Sequence, residues 1–239
     1  MPSQKNVLVI GASGDIGIKI AEQLVNDDLQ VILHYNRNKE VIENFITRVN
    51  QEKVLSIIQA DLSDINEIQA FIKQLVFSID AVIFASGKAY YGLFQEMQEE
   101  IMDKMLTLHV KAPWLITKAL LPHMIKSNSG KIIFITSIWG SKGASNEVIY
   151  SSVKGAQNSF VKALAKEVAP SGVQVNAVSP GFIETKMNNL SVEENESFIT
   201  DIPMGRPGLP DEIAQVVSFL MSDKSSYIQG EIVNVTGGW

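Results

Sequence analysis

The chain has 239 residues, with 20 lysines and arginines against 26 aspartates and glutamates, a net charge of −6. At 46% hydrophobic and 19% charged it carries the apolar content of a sizeable core, which excludes disorder, and the absence of cysteine excludes disulfides, thiolate metal sites and a cysteine nucleophile. Its histidines, His34, His109 and His123, form no His-Glu-x-x-His pair, so no metal is expected, and an acidic balance argues against nucleic acid as a partner.

The polar start, Met1 to Asn6, runs into Val7-Leu8-Val9-Ile10, an apolar stretch too short for a signal or a membrane span, so a cytoplasmic protein is expected. Near-continuous apolar runs at 5–10, 29–34, 54–59, 79–84, 130–136, 172–178 and 231–235 read as strands covered on both faces. Helical patterns fall between them at 16–27, 38–50, 64–76, 97–127, 148–169 and 210–222. Asp64 and Glu67 suggest a capping box opening the third helix. This alternation predicts a Rossmann-type doubly wound α/β fold: a parallel sheet of about seven strands, helices on both faces, one domain spanning 1–239.

The first strand ends in Gly11-Ala12-Ser13-Gly14-Asp15-Ile16-Gly17, a turn whose glycines bring backbone N–H groups up to a pyrophosphate at a helix N-terminus. A plain tight turn is the alternative. After the second strand comes His34-Tyr35-Asn36-Arg37-Asn38, with no acid before Glu40 to accept a ribose 2′-hydroxyl. Arg37 suits a 2′-phosphate, which favours NADP(H) over NAD(H). Asp15 weighs the other way, as a negative charge expected near the same end of the site. Asp61-Leu62, after the third strand, are candidates to touch the adenine ring; a loop acid is the equal alternative for Asp61.

Two stretches interrupt the alternation: a loop at 86–96, and a segment of ~30 residues at 180–209 that reads as a substrate lid over about 184–209. Ser137 stands just past the fifth strand, and Tyr150 and Lys154 share a helix face at i, i+4. A free phenol titrates near ~10, and an ammonium ~4 Å away at an effective dielectric of ~20 contributes about 4 kcal/mol, equivalent to roughly three pKa units. That lowering would make Tyr150 a working proton donor, with Ser137 holding a carbonyl in line.

On these motifs, together with Asn176-Ala-Val-Ser-Pro180-Gly181 and Thr185, the chain resembles the short-chain dehydrogenase/reductase family over its whole length. The resemblance implies hydride transfer with a nicotinamide cofactor and a homotetramer or homodimer. It implies Tyr150 as general acid, Lys154 on the nicotinamide ribose, Ser137 on the carbonyl, and Ser86-Gly87 and Pro180, Gly181, Ile183 and Thr185 along the cofactor. The family's catalytic asparagine aligns with His109. There the family uses a main-chain carbonyl to hold a proton-relaying water. Pro113, four residues on, has no N–H to occupy that carbonyl, so the relay is expected to persist and Pro113→Ala to slow turnover. A half-buried packing role for His109 is the alternative.

Ile202-Pro-Met-Gly-Arg-Pro and the ending from Gly230 to Trp239 resemble 3-oxoacyl-acyl-carrier-protein reductases. Ser86 to Phe94, Ser137-Ile-Trp-Gly140 and Tyr150 to Asn158 resemble elongation factor P 5-aminopentanone reductases. Acids at Glu184, Glu193, Glu194, Glu196 and Asp201, and at Glu96, Glu99, Glu100 and Asp103, would repel an acidic carrier protein and attract an amine. Tyr90, Tyr91, Phe94, Trp139, Met187 and Phe198 are candidates for an apolar wall. Leu106, Trp114, Leu115, Phe160, Val161 and Leu164 are candidates for subunit contact. A non-catalytic dinucleotide-binding regulator is the alternative from outside the enzymes.

Overall fold

A computed structural model describes residues 5–186 and 199–239. Seven parallel strands, β1 (Asn6–Ile10), β2 (Gln30–Tyr35), β3 (Val54–Gln59), β4 (Ala81–Phe84), β5 (Gly130–Ile135), β6 (Val173–Pro180) and β7 (Ile232–Val235), form one sheet in the order β3-β2-β1-β4-β5-β6-β7. Alternation along each strand sends side chains to opposite faces. Leu8, Ile10, Val82, Phe84, Ile132 and Phe134 join one core, and Val7, Val9, Ala81, Ile83, Ile133 and Ile135 the other. Both faces need covering, which is why the strands read as unbroken apolar runs.

The first face is covered by α3 (Ile65–Gln74), α5 (Ala112–Lys126) and α7 (Val148–Val168), through Ile68, Phe71, Ile116, Met124 and Val161. The second lies under α1 (Asp15–Asn26), α2 (Lys39–Ile46) and α8 (Pro210–Met221), through Ile20, Leu24, Phe45, Ile213 and Val217. The chain winds outward from β1 through β2 to β3, then returns to lay β4 on the other side of β1. Such a reversal opens a crevice beyond the carboxyl ends of the two central strands, where open α/β sheets bind ligands.

The single helix expected at 97–127 is instead α4 (Glu99–Leu106), a π-turn at Thr107–Lys111 and α5. Pro113 lacks the N–H that would close an α-helical bond, and the register slips by one residue there, with the Ala112 N–H donating to the Thr107 carbonyl. A one-turn helix, α6 (Trp139–Lys142), was not expected. The anticipated capping box is divided. Asp64 accepts the Asn66 N–H, but Glu67 reaches past Asp64 to the N–H of Asp61. Val161 and Leu164 belong to the chain's own core, which removes them as subunit contacts, whereas Leu106 and Trp114 are half exposed. Among the described residues no helix is long and apolar enough to cross a membrane.

Candidate active site

The turn after β1 packs so tightly that two glycines are obligatory. Gly11 has φ +83, and a Cβ there would stand 2.6 Å from the backbone of Ser86, just past β4. A Cβ on Gly17 would stand 2.2 Å from the Gly11 carbonyl oxygen. This close approach of α1 to the β1 and β4 ends leaves Ser13, Asp15 and Ile16 half-buried on the crevice side of the sheet, a cradle fitting a dinucleotide. Asp15 keeps its negative charge but also has a structural partner. Its Oδ2 accepts the backbone N–H of Lys186 at 2.7 Å, so the carboxylate is committed to the base of the 184–209 segment. Residues 187–198 of that segment, Met187 and three of its acids among them, lie outside the described residues, as does Phe198. A cleft of about 810 Å³ beside this clasp is lined by Asp15, Lys19, Thr185 and Asp211, and none of Ser137, Tyr150 or Lys154 lines it.

At the far end, Arg37 is exposed in the loop after β2 and Glu40 in the first turn of α2. Asp61 accepts hydrogen bonds from the Ser63 N–H and hydroxyl. Burial works to raise its pKa, but these bonds, the Asn36 side chain and the charge of Arg37 hold it below the usual carboxylate range. Arg37 and Asp61 therefore share one electrostatic neighbourhood. Leu62 is 2% exposed and its side chain belongs to the core, so contact with an adenine ring through that side chain is excluded.

The sheet edge brings Ser137, Tyr150 and Lys154 together. Ser137 follows β5, its Oγ accepting the Trp139 N–H at 3.2 Å, and its hydroxyl stands close enough to the Tyr150 phenol to pull that group's pKa down. One turn along α7, the Lys154 ammonium donates to the carbonyl of Ile135 at 2.8 Å and lies 5.7 Å from the centre of the Tyr150 ring. The expected lowering of Tyr150 by Lys154 does not hold. Burial and then the Glu147 carboxylate push the phenol up to about 12, with Ser137 pulling it back, and burial brings Lys154 down to about 7. Desolvation outweighs attraction because it disfavours both charged forms. Glu147, half-buried three residues before Tyr150, is itself raised by burial and has no ion-pair partner among the described residues.

His109 is fully buried in the π-turn, its ring edge-on to Tyr150 at 5.8 Å. Burial and then Lys154 hold it down at about 3, so it stays neutral. Its Nε2 lies 3.1 Å from the Lys88 carbonyl, and Nδ1 is buried without a partner. A Cβ on Gly87 would press on the His109 ring, at 3.2 Å, and touch Lys154 Nζ, at 3.8 Å, so this glycine lets both groups close in on the loop after β4. The main-chain carbonyl that Pro113 releases accepts Gln157 Nε2 at 2.8 Å on one of its two lone pairs. Gln157 lies at i+3 from Lys154, a spacing on the same helix face that could have drawn attention to it. Glu147 lies at i−3 from Tyr150 and was equally legible.

Opposite α6, Gly181 packs on Thr236, where a Cβ would stand 2.9 Å from Cα, and Pro180 accepts the Ile138 N–H. Ile183 is buried and bridges to Gly208, which fixes both ends of the long segment. Of the expected apolar wall, Tyr90 is half-buried, Tyr91 and Phe94 are exposed, and Trp139 lies edge-on to Trp239 at 5.0 Å. The loop carrying Tyr91 is tied to the one before α7 by Asn146, whose side chain donates to the Tyr91 hydroxyl.

Residues 11–239 match the family model described as enoyl-(acyl carrier protein) reductase. The chain is 44% identical over 238 residues to the uncharacterized oxidoreductase YmfI of Bacillus subtilis, covering 98% of each. It is 35% identical over 243 residues to the 3-oxoacyl-[acyl-carrier-protein] reductase FabG of Staphylococcus aureus, covering 100% of this chain and 99% of that one. A crystal structure assigned as an NAD(P)-dependent gluconate 5-dehydrogenase of Beutenbergia cavernae, with NADP bound at low occupancy, superposes with a TM-score of 0.92. It is 25% identical, over 98% of this chain and 96% of that one.

Proposed function

The chain belongs to the short-chain dehydrogenase/reductase family, and from that premise we propose that it is an NADP(H)-dependent oxidoreductase reducing a ketone to a secondary alcohol, of the 3-oxoacyl-acyl-carrier-protein reductase type. The carrying observation is the convergence of Ser137, Tyr150 and Lys154 beside the β1/β4 crevice. NADPH, when bound, supplies the hydride. Gly11 to Gly17 hold its pyrophosphate, Arg37 its 2′-phosphate and Asp61 its adenine side, while Pro180, Gly181, Ile183 and Thr185 border the nicotinamide end. Ser137 orients the substrate carbonyl. Tyr150, protonated at working pH, gives its proton to the carbonyl oxygen as the hydride arrives. Lys154 and the neutral His109 stand behind that phenol. Residues 184–209 form the lid, and the half-exposed Leu106 and Trp114 suit a homotetramer or homodimer in the cytoplasm.

Glu147 favours a second reading, reduction of the 5-aminopentanone modification on elongation factor P. A half-buried carboxylate without a cation, beside the proton donor, suits an amine-bearing ketone better than an acidic carrier protein. The test is NADPH oxidation with a 3-oxoacyl thioester and with ketone-modified elongation factor P. The faster substrate decides between the readings; tight NADPH binding with neither consumed would make the protein a dinucleotide-binding regulator.

A further inference from the structure

His34 is the polar residue that follows the apolar run Val31-Ile32-Leu33 within β2. It is 2% exposed and lies edge-on to Phe71 at 5.1 Å, yet both ring nitrogens are used. The Gly11 N–H stands 3.0 Å from Nδ1. A backbone amide can only donate, so Nδ1 carries a lone pair and the ring hydrogen sits on Nε2, which donates to the Ala60 carbonyl at 3.0 Å. Burial keeps the ring neutral, bringing it down to about 4 against upward pulls from the Ala60 carbonyl and Asp61. The His34 main-chain carbonyl meanwhile accepts the Ala12 N–H at 2.8 Å. Two consecutive amides of the glycine turn therefore end on this one residue.

The three strand ends tied together here carry separate loops: Gly11 to Gly17 after β1, Asn36 and Arg37 after β2, and Asp61 to Ser63 after β3. Regular ladder pairing stops short of them, at Ile10 with His34 and Tyr35 with Gln59. Holding them takes a group that accepts at one end and donates at the other; a carboxylate only accepts and an ammonium only donates.

We propose that His34 is the positioning residue for the adenosine half of NADP(H), its imidazole fixing the glycine turn, the Arg37 loop and the Asp61 loop in mutual register. The Gly11 amide is thereby withdrawn from phosphate binding, which is left to later amides of the turn. This rests on the NADP(H) reading but not on which ketone is reduced.

Adenosine 2′,5′-bisphosphate, which occupies only that half-site, is the probe. In calorimetry on the full chain, His34→Phe keeps a ring against Phe71 and loses both hydrogen bonds. It should weaken the probe and NADPH by the same factor, about tenfold or more. Turnover at saturating NADPH should stay within about twofold, because no reacting atom is touched. His34→Gln, with one acceptor and one donor, should remain within about threefold of the wild type. A folded His34→Phe that binds the probe as the wild type does, even at lowered thermal stability, overturns the proposal. A ¹⁵N-histidine spectrum of the wild type is the check that needs no variant. It should show Nδ1 bare and Nε2 protonated, and a hydrogen on Nδ1 overturns the proposal equally.

Discussion

Gln157 donates its side-chain amide to the main-chain carbonyl of His109 across 2.8 Å, joining α7 to the π-turn between α4 and α5. The carbonyl lies where Pro113 supplies no N–H, so Gln157→Leu leaves a buried acceptor bare. That costs about 1–3 kcal/mol, or roughly 2–10 °C in Tm for a chain of this size. Pro113→Ala restores an N–H that competes for the lone pair Gln157 leaves open, so it should slow turnover, as expected from sequence. In the Gln157→Leu background it should recover stability. Thermal scans of the four proteins measure the coupling.

Lys154, brought down to about 7, sets two opposite pH dependences. Its cation is present below that pH, so ketone reduction should fall as pH rises through about 7, while Tyr150 stays protonated to about 12. Stability runs the other way. Between about 7 and the ordinary lysine range near ~10.4 the unfolded chain binds the extra proton, so stability rises with pH in that window. Lys154→Met should abolish turnover and raise Tm at pH 6, with the advantage shrinking as pH rises through about 7 and gone above pH ~10. A Tm gap that does not change with pH would contradict the assignment.

Glu147 helps hold the Tyr150 phenol up, so Glu147→Gln should lower it, which phenolate absorbance reads directly. The same change should raise KM for an amine-bearing ketone by about tenfold while leaving an uncharged ketone near wild type. Equal effects on both would remove Glu147 from substrate recognition.

Arg37 is exposed and answered electrostatically by Asp61. Arg37→Ala should lower kcat/KM for NADPH about tenfold or more and leave NADH nearly unchanged, since only the former carries a 2′-phosphate. Parallel loss with both cofactors would mean that the guanidinium binds something else.

Asp15→Ala removes the acceptor for the Lys186 N–H and so unclasps the base of the 184–209 segment. KM for the ketone should rise several-fold with little change in NADPH affinity. An increase confined to the NADPH Kd would return Asp15 to the cofactor.

The sequence by itself determined the strand-helix alternation, because strands buried on both faces must be continuously apolar and helices buried on one face must be periodic. It also determined which residues reach the carboxyl edge: Gly11, Arg37, Asp61 and Ser137 follow strands, and Tyr150 and Lys154 share one helix face. Only the tertiary structure decided what surrounds them. That Asp15 turns to Lys186, that Gln157 caps His109, that His34 bridges three strand ends and that Leu62 sinks into the core are long-range pairings invisible to any local spacing. The upward shift of Tyr150 and the downward shift of Lys154 were invisible for the same reason: distance along a helix gives the attraction between them, while desolvation depends on how many other segments close over the pair.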